Sequence, residues 1–317
     1  MDTTFQKVVV LGYGKVTGEV LQYVCDRRRE YGYEVEFIEH ETHSFSVMKK
    51  ICAKNGISYR CITDKKELAG ALDLIGEKAL IISASNNFLF PASLVAKPNI
   101  TIINFHNALL PEYPGRNAPT WVIYMGEKET GITWHYVTAG VDEGNIIIQK
   151  RCEITDDTKA YELTERLMDL AAKAFRESFA DIMEETVRAR EQGFDPKRRM
   201  YRSYEVPAGG FFELTEKPED IYRLLRCVDY GKNDIFPHLK TRIDGREAEI
   251  LRYRKIPADK LPADGFSADK LSVDKFSVDK LPADDNLPEK HSIRETEGFL
   301  YLPLQEGFWL KIKYAIC

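Results

Sequence analysis

The chain has 317 residues, 44% hydrophobic and 30% charged, with a formal net charge of −5. It is long enough for two cores and its balance is globular rather than disordered, with no electrostatic footprint for nucleic acid. No apolar run reaches the roughly 18 residues a membrane helix needs. The N-terminus lacks the basic start, apolar stretch and cleavage site of a signal peptide, so a cytoplasmic location without a membrane partner is expected.

Residues 7–11 are apolar and run into Gly12-Tyr13-Gly14. Val16, Val20, Leu21 and Val24 then share one helical face, which predicts a strand, a glycine turn and a helix. Further strands are expected over 34–38, 57–62, 79–83 and 100–104, with helices over 45–55 and 65–75 between them. Strands alternating with helices predict an α/β, Rossmann-like parallel sheet covered on both faces. Two more strands, 132–137 and 146–154, flank a loop over 138–145, and helical periodicity extends from 160 to 192. Residues 193–210 read as a linker. From 211 to 317 the pattern becomes a second, smaller β-rich domain, in which Asp244-Gly245 and Glu306-Gly307 suit antiparallel hairpins. Five pentads over 259–284 place apolar residues at a period that fits neither helix nor strand, as in a low-complexity surface insertion.

Cysteines at 25, 52, 61, 152, 227 and 317 form no CxxC pair and read as reduced, mostly core thiols rather than a disulfide framework or zinc site. Gly12-x-Gly14-x-x-x-Gly18 departs from the dinucleotide spacing, and Glu34, Glu36 and Glu39 read as solvated or turn charges. The run 39–43, with two histidines, reads as a polar loop, and no metal ligand set is expected. Lys197, Arg198, Arg199 and Arg202 read as a solvated linker.

Two stretches carry chemistry. In the first, Asn104 ends an apolar strand and His106 follows two residues later, so both point the same way from the strand's carboxyl end. That edge is where open α/β sheets hold ligands. In the second, Gly140, Asp142 and Gly144 punctuate a loop able to return a carboxylate over the same edge. An amide donor for an oxyanion, an imidazole for proton transfer and a carboxylate to support it suit acyl transfer to an amine.

Asn104-x-His106, Ala108-Leu-Leu-Pro111 and Gly115, with His135 and Asp142-x-Gly144 about 30 residues later, resemble the formyltransferase family. The likeness covers roughly residues 5–190 and, more weakly, 211–255 and 298–314, which look like the C-terminal barrel-like (OB-like) domain of the tRNA and sugar enzymes. It implies a catalytic domain over 1–192, with 10-formyltetrahydrofolate as co-substrate. Asn104, His106 and Asp142 match the catalytic positions, and His135 matches a supporting histidine. Folate contacts are implied for Asn86, Phe88 and Phe90 in the 86–91 stretch. They are also implied for Ala108, Leu109, Leu110 and Pro111, and for Thr138, Gly140 and Val141 in the closing loop.

Residues 201–317 hold 19 Lys and Arg against 21 Asp and Glu, which argues against initiator tRNA as acceptor. The expected acceptor is a small-molecule amine: an amino-sugar nucleotide, or an amino acid or hydroxyornithine, free or on a carrier protein. A homodimer contact through the second domain is offered by analogy. The readings from other classes are an oxidoreductase using the Gly12–Gly18 turn and a catalytically silent interaction protein.

Overall fold

The computed structural model describes residues 5–40, 46–193, 199–261, 293–296 and 298–317. Residues 41–43, 197–198 and 262–284, and with them most of the pentads, lie outside that set.

β1 (Lys7–Gly12), β2 (Glu34–Glu39), β3 (Ser58–Cys61), β4 (Ala79–Ala84) and β5 (Ile100–His106) form the parallel part of a seven-stranded sheet. β6 (Glu129–Tyr136) and β7 (Ile146–Glu153) complete it, in the order β3-β2-β1-β4-β5-β6-β7. β4 is buried along its whole length, as a strand covered on both faces must be. The helices α1 (Gly14–Tyr31), α2 (Val47–Asn55), α3 (Lys65–Asp73), α4 (Ala92–Val95), α5 (Ala118–Tyr124) and α6 (Ala160–Met183) connect or follow the strands. From β1 the chain winds outward through β2 and β3, then returns to β4. The order reverses between β1 and β4, and the carboxyl ends there are where such sheets leave a crevice.

Three details depart from the sequence reading. β6 runs antiparallel to β5 and β7 antiparallel to β6, so the sheet is mixed. The 138–145 connection between β6 and β7 is shorter than the dozen residues a crossover needs, so those two strands pair as a hairpin. α6 stops at Met183 rather than near 192, where its buried stripe of Leu167, Ala171, Phe175, Phe179 and Met183 runs out, and Glu185 turns left-handed at φ 54°. Glu39, read as a solvated or turn charge, is 1% exposed and accepts the Tyr59 hydroxyl at 2.6 Å.

Gly12 lies at φ 146°, where an added Cβ would meet Ala84 O at 1.9 Å. The glycine turn thereby brings the start of α1 against the end of β4. His40 Nδ1 pairs with Ile62 O at 2.8 Å, a structural role at the end of β2. Cys25, Cys52 and Cys227 are buried, while Cys61 and Cys317 are exposed.

Packing separates the chain into two compact units: 1–122 with 127–155 and 162–203, and 123–126 with 156–161 and 204–317. The second contains α7 (Pro218–Cys227), β8 (Lys240–Ile243), β9 (Arg246–Pro257), β10 (Arg294–Thr296), β11 (Phe299–Pro303) and β12 (Phe308–Ile316). The strands pair antiparallel in the order β10-β11-β12-β9-β8. Asp244-Gly245 and Glu306-Gly307 both sit at positive φ, the conformation of a tight hairpin turn. Leu300, Leu302, Leu310 and Ile312, each fully buried, supply one face of the sheet's core. Asp229 accepts the Tyr253 hydroxyl at 2.6 Å and pairs with Lys159 at 2.9 Å, tying 156–161 into this unit. Among the described residues no helix is long and apolar enough to cross a membrane.

Candidate active site

The candidate site lies wholly within the first unit, where β5 ends. Asn104 is paired with His135 across β5 and β6, and its Nδ2 lies 3.2 Å from His135 Nε2. His135 Nδ1 donates to Tyr136 O at 2.8 Å. A ring nitrogen facing a carbonyl must carry a proton, so in the neutral ring Nε2 is the acceptor and Asn104 the donor. The second N–H of Asn104 has no partner among the described residues. That N–H is able to donate to a ligand.

Asp142 stands in the 138–145 loop at φ 53°, a left-handed conformation that Asp tolerates better than most residues. Its Oδ2 accepts the Gly115 N–H at 2.8 Å and lies 3.5 Å from His106 Nδ1; its Oδ1 lies 3.5 Å from His135 Nε2. One carboxylate thus faces both imidazoles. Burial by itself would raise its pKa. The neighbouring imidazoles, His106 foremost, and the Gly115 N–H outweigh that and hold Asp142 well below the usual carboxylate range. Asp142 is therefore ionised at neutral pH.

His106 is 5% exposed, and its Nε2 pairs with Tyr113 O at 2.8 Å. Because that carbonyl takes the Nε2 proton, Nδ1, opposite Asp142, is the position where a proton is gained or lost. The imidazolium would give both of its N–H groups an acceptor. An amide donor, an imidazole and an ionised carboxylate can stabilise a developing oxyanion and shuttle a proton.

Neighbouring segments hold the loops that supply these partners. Tyr201 N donates to Pro114 O and Arg116 N to Tyr201 O, at 3.0 and 2.9 Å. The Tyr201 ring stacks between Tyr113 and Trp121, and the exposed Arg199 lies over both Trp121 and Tyr201. Gln192 Nε2 donates to Asp142 O at 3.0 Å and Gly144 O at 2.7 Å, clamping the loop that carries the carboxylate. On the other side, Ser83 Oγ donates to Asn104 Oδ1 at 2.7 Å. Ser83, Gln192, Tyr113 O and Gly115 N escaped the sequence reading. Two are backbone groups without a side-chain label, and Gln192 lies 50 residues from Asp142.

The residues expected to contact folate fall into two groups. Phe88 lies in an apolar cluster, with Phe90 and Val137 half-buried against it, and Asn86 caps the end of β4 through Phe88 N and O. Leu89 beside them is 72% exposed. Leu109, Pro111, Gly140 and Val141 are partly exposed and Thr138 is exposed. Ala108 and Leu110, by contrast, are buried at 0% and 2%, and the Thr133 hydroxyl bonds their backbones. Their side chains pack inward.

A family model described as formyl transferase matches residues 6–178. The chain is 31% identical over 147 residues to the methionyl-tRNA formyltransferase of Acetivibrio thermocellus, covering 46% of this chain and 47% of that one. It is 26% identical to the methionyl-tRNA formyltransferase of Clostridioides difficile, covering 70% and 74%. The chain spans about half the length, or less, of the first curated relatives it matches. Among solved structures, the fold is similar to an N-formyltransferase from Helicobacter canadensis in complex with folinic acid and dTDP-3-aminofucose. There the TM-score is 0.65 and the identity 15%, with 97% and 99% coverage. WlaRD, a sugar 3N-formyl transferase, aligns with TM-score 0.62 at 15% identity over 98% of each chain. At these identities the likeness is one of fold.

Proposed function

We propose, from the premise that this chain belongs to the formyl transferase family, that it moves a formyl group from 10-formyltetrahydrofolate to the amine of a small molecule. The observation that carries this reading is the buried, ionised Asp142 shared by His106 and His135, beside an Asn104 amide with one N–H to spare.

When bound, the folate supplies a formyl carbon carried on nitrogen as the electrophile. The half-buried apolar surface of Phe90 and Val137, backed by the buried Phe88 and next to the polar tip of β4, fits a flat heteroaromatic ring. Asn104 donates its second N–H to the formyl oxygen as charge builds there. His106 holds a proton at Nδ1, and Asp142 opposite stabilises the imidazolium. The new bond joins the acceptor nitrogen to the formyl carbon, and the bond from that carbon to the folate nitrogen breaks. The proton lost by the amine is relayed through His106 and Asp142 to the departing nitrogen. Residues 1–192 are taken as the catalytic region.

For the acceptor, the dTDP-3-aminofucose of the Helicobacter canadensis complex supports the amino-sugar nucleotide class, at the level of fold alone. An amino acid or hydroxyornithine, free or carrier-bound, is the other small-amine class. The second reading is formylation of methionyl-tRNA, which the names of the curated relatives favour. Against it stand the 21 acidic and 19 basic residues over 201–317. The test is incubation with 10-formyltetrahydrofolate and a panel of amino-sugar nucleotides, amino acids, hydroxyornithine and methionyl-tRNA, following tetrahydrofolate release by absorbance. Release with one small-amine class is expected. Release without any amine would indicate a hydrolase, and no release with any acceptor would overturn the proposal.

A further inference from the structure

We propose that Ser83 is a positioning residue that decides which end of the Asn104 amide faces the substrate. The inference deepens the formyl-transfer reading and rests on it for its kinetic consequence. An asparagine side chain has nearly the same shape whichever way its amide is turned, so only its neighbours fix where the donor points. Reversed, Asn104 would present an oxygen to the developing oxyanion and repel it.

Two neighbours act on this amide. His135 Nε2 accepts from Asn104 Nδ2 as long as Nδ1 carries the proton shared with Tyr136 O. That control is shared, because Nε2 also lies 3.5 Å from Asp142 Oδ1. Ser83 supplies a control that does not depend on the histidine. It is in register with Asn104 across β4 and β5, 1% exposed, with Oγ 2.7 Å from Asn104 Oδ1.

The Ser83 hydroxyl has one proton to give. Asn86 Nδ2 lies 3.4 Å from Ser83 Oγ and supplies a donor to it, and Asn86 itself is set by Phe88 N and O. With its lone pair addressed from Asn86, the hydroxyl directs its proton at Asn104 Oδ1. The donors then run one way, from Asn86 through Ser83, Asn104 and His135 to Tyr136 O. The chain starts beside the apolar surface assigned to the folate ring and passes through the candidate oxyanion donor. A strand-end hydroxyl with no contact to substrate thus controls the polarity of the site.

The test compares Ser83→Thr with Ser83→Val, which share a shape and differ by the hydroxyl. Both add a methyl in a buried place, so any packing cost is common to the two. Ser83→Thr is expected to keep most of the wild-type kcat. Ser83→Val and Ser83→Ala are expected to lose about tenfold or more in kcat, a fraction of the roughly 10²–10³ seen when an oxyanion donor is removed outright, with the KM for folate unchanged. Equal rates for Thr and Val, or an unaltered kcat in Ala, would overturn the proposal. A second readout is independent of turnover: the side-chain 15N–1H amide signals of Asn104, assigned by their loss in Asn104→Asp. They should move in Ser83→Val and hold in Ser83→Thr, and the same signals in both would overturn the proposal. Absence of formyl transfer by the wild type would instead strike the functional reading.

Discussion

At Asp142 three unlike influences meet on one carboxylate: burial, two imidazoles and a backbone N–H. The last two prevail and depress its pKa below the unfolded value of about 3.9. A depressed carboxylate contributes stability above its unfolded pKa, and that contribution is lost as pH falls through the folded pKa. Asp142→Asn is therefore expected to melt below the wild type at neutral pH, with the gap narrowing as pH drops under about 4. Thermal melts from pH 7 to 3 check this, and a gap that widens on acidification would contradict it. The same variant is expected to lose about 10²–10⁴ in kcat/KM, the span of one proton-transfer group. Retention of most activity would remove Asp142 from the mechanism. Asn104, His106 and Asp142 were legible as candidates because strand-end spacing and glycine punctuation put the right chemistry at a sheet edge. The assignment of Tyr113 O to His106 and Gly115 N to Asp142 was not, because any residue supplies a carbonyl or an N–H.

Among the elements, the loop between β6 and β7 holds its shape by borrowing from distant segments. Gln192 donates to Asp142 O and Gly144 O, and the 199–202 segment pairs with the 114–116 loop. Gln192→Ala removes two hydrogen bonds, at about 0.5–1.5 kcal/mol each, and frees a left-handed Asp142 to relax. The expected result is a lower melting temperature together with a fall in kcat greater than that at a surface control. A fall in stability alone would mean that the clamp does not position the carboxylate. Gly115 is at φ 93°, and an added Cβ would meet Tyr201 O at 2.3 Å. Gly115→Ala is expected to destabilise by more than the ~1 kcal/mol of an ordinary glycine replacement, read in denaturant melts; a neutral effect would show that the 199–202 strap yields easily. The helical period read to 192 overran α6 because polar helix formers continue beyond Met183 while the buried stripe does not. Strand direction likewise escaped the sequence, since alternation marks a strand's faces and not its sense.

For the whole molecule, the choice among acceptors turns on charge. A tRNA acceptor held through several phosphates would lose about 10³ or more in affinity between roughly 50 and 200 mM salt, whereas a small amine neutralises few phosphates. Formyl transfer to the small-amine acceptor is expected to keep nearly the same kcat/KM over that range. A steep fall with salt, with methionyl-tRNA as acceptor, would favour the second reading. By itself the sequence determined the alternation of strands and helices and the change to a β-rich C-terminal region, and it marked Asn104, His106 and Asp142 as candidates for acyl chemistry. These follow from local periodicity and turn chemistry, which act over a few residues. Tertiary structure alone decided that β6 and β7 turn back antiparallel, that Glu39 is buried, that Ala108 and Leu110 face inward, and that one carboxylate serves two histidines. Each depends on distances between residues far apart in the chain, set only when the packed sheet brings its carboxyl ends and loops together.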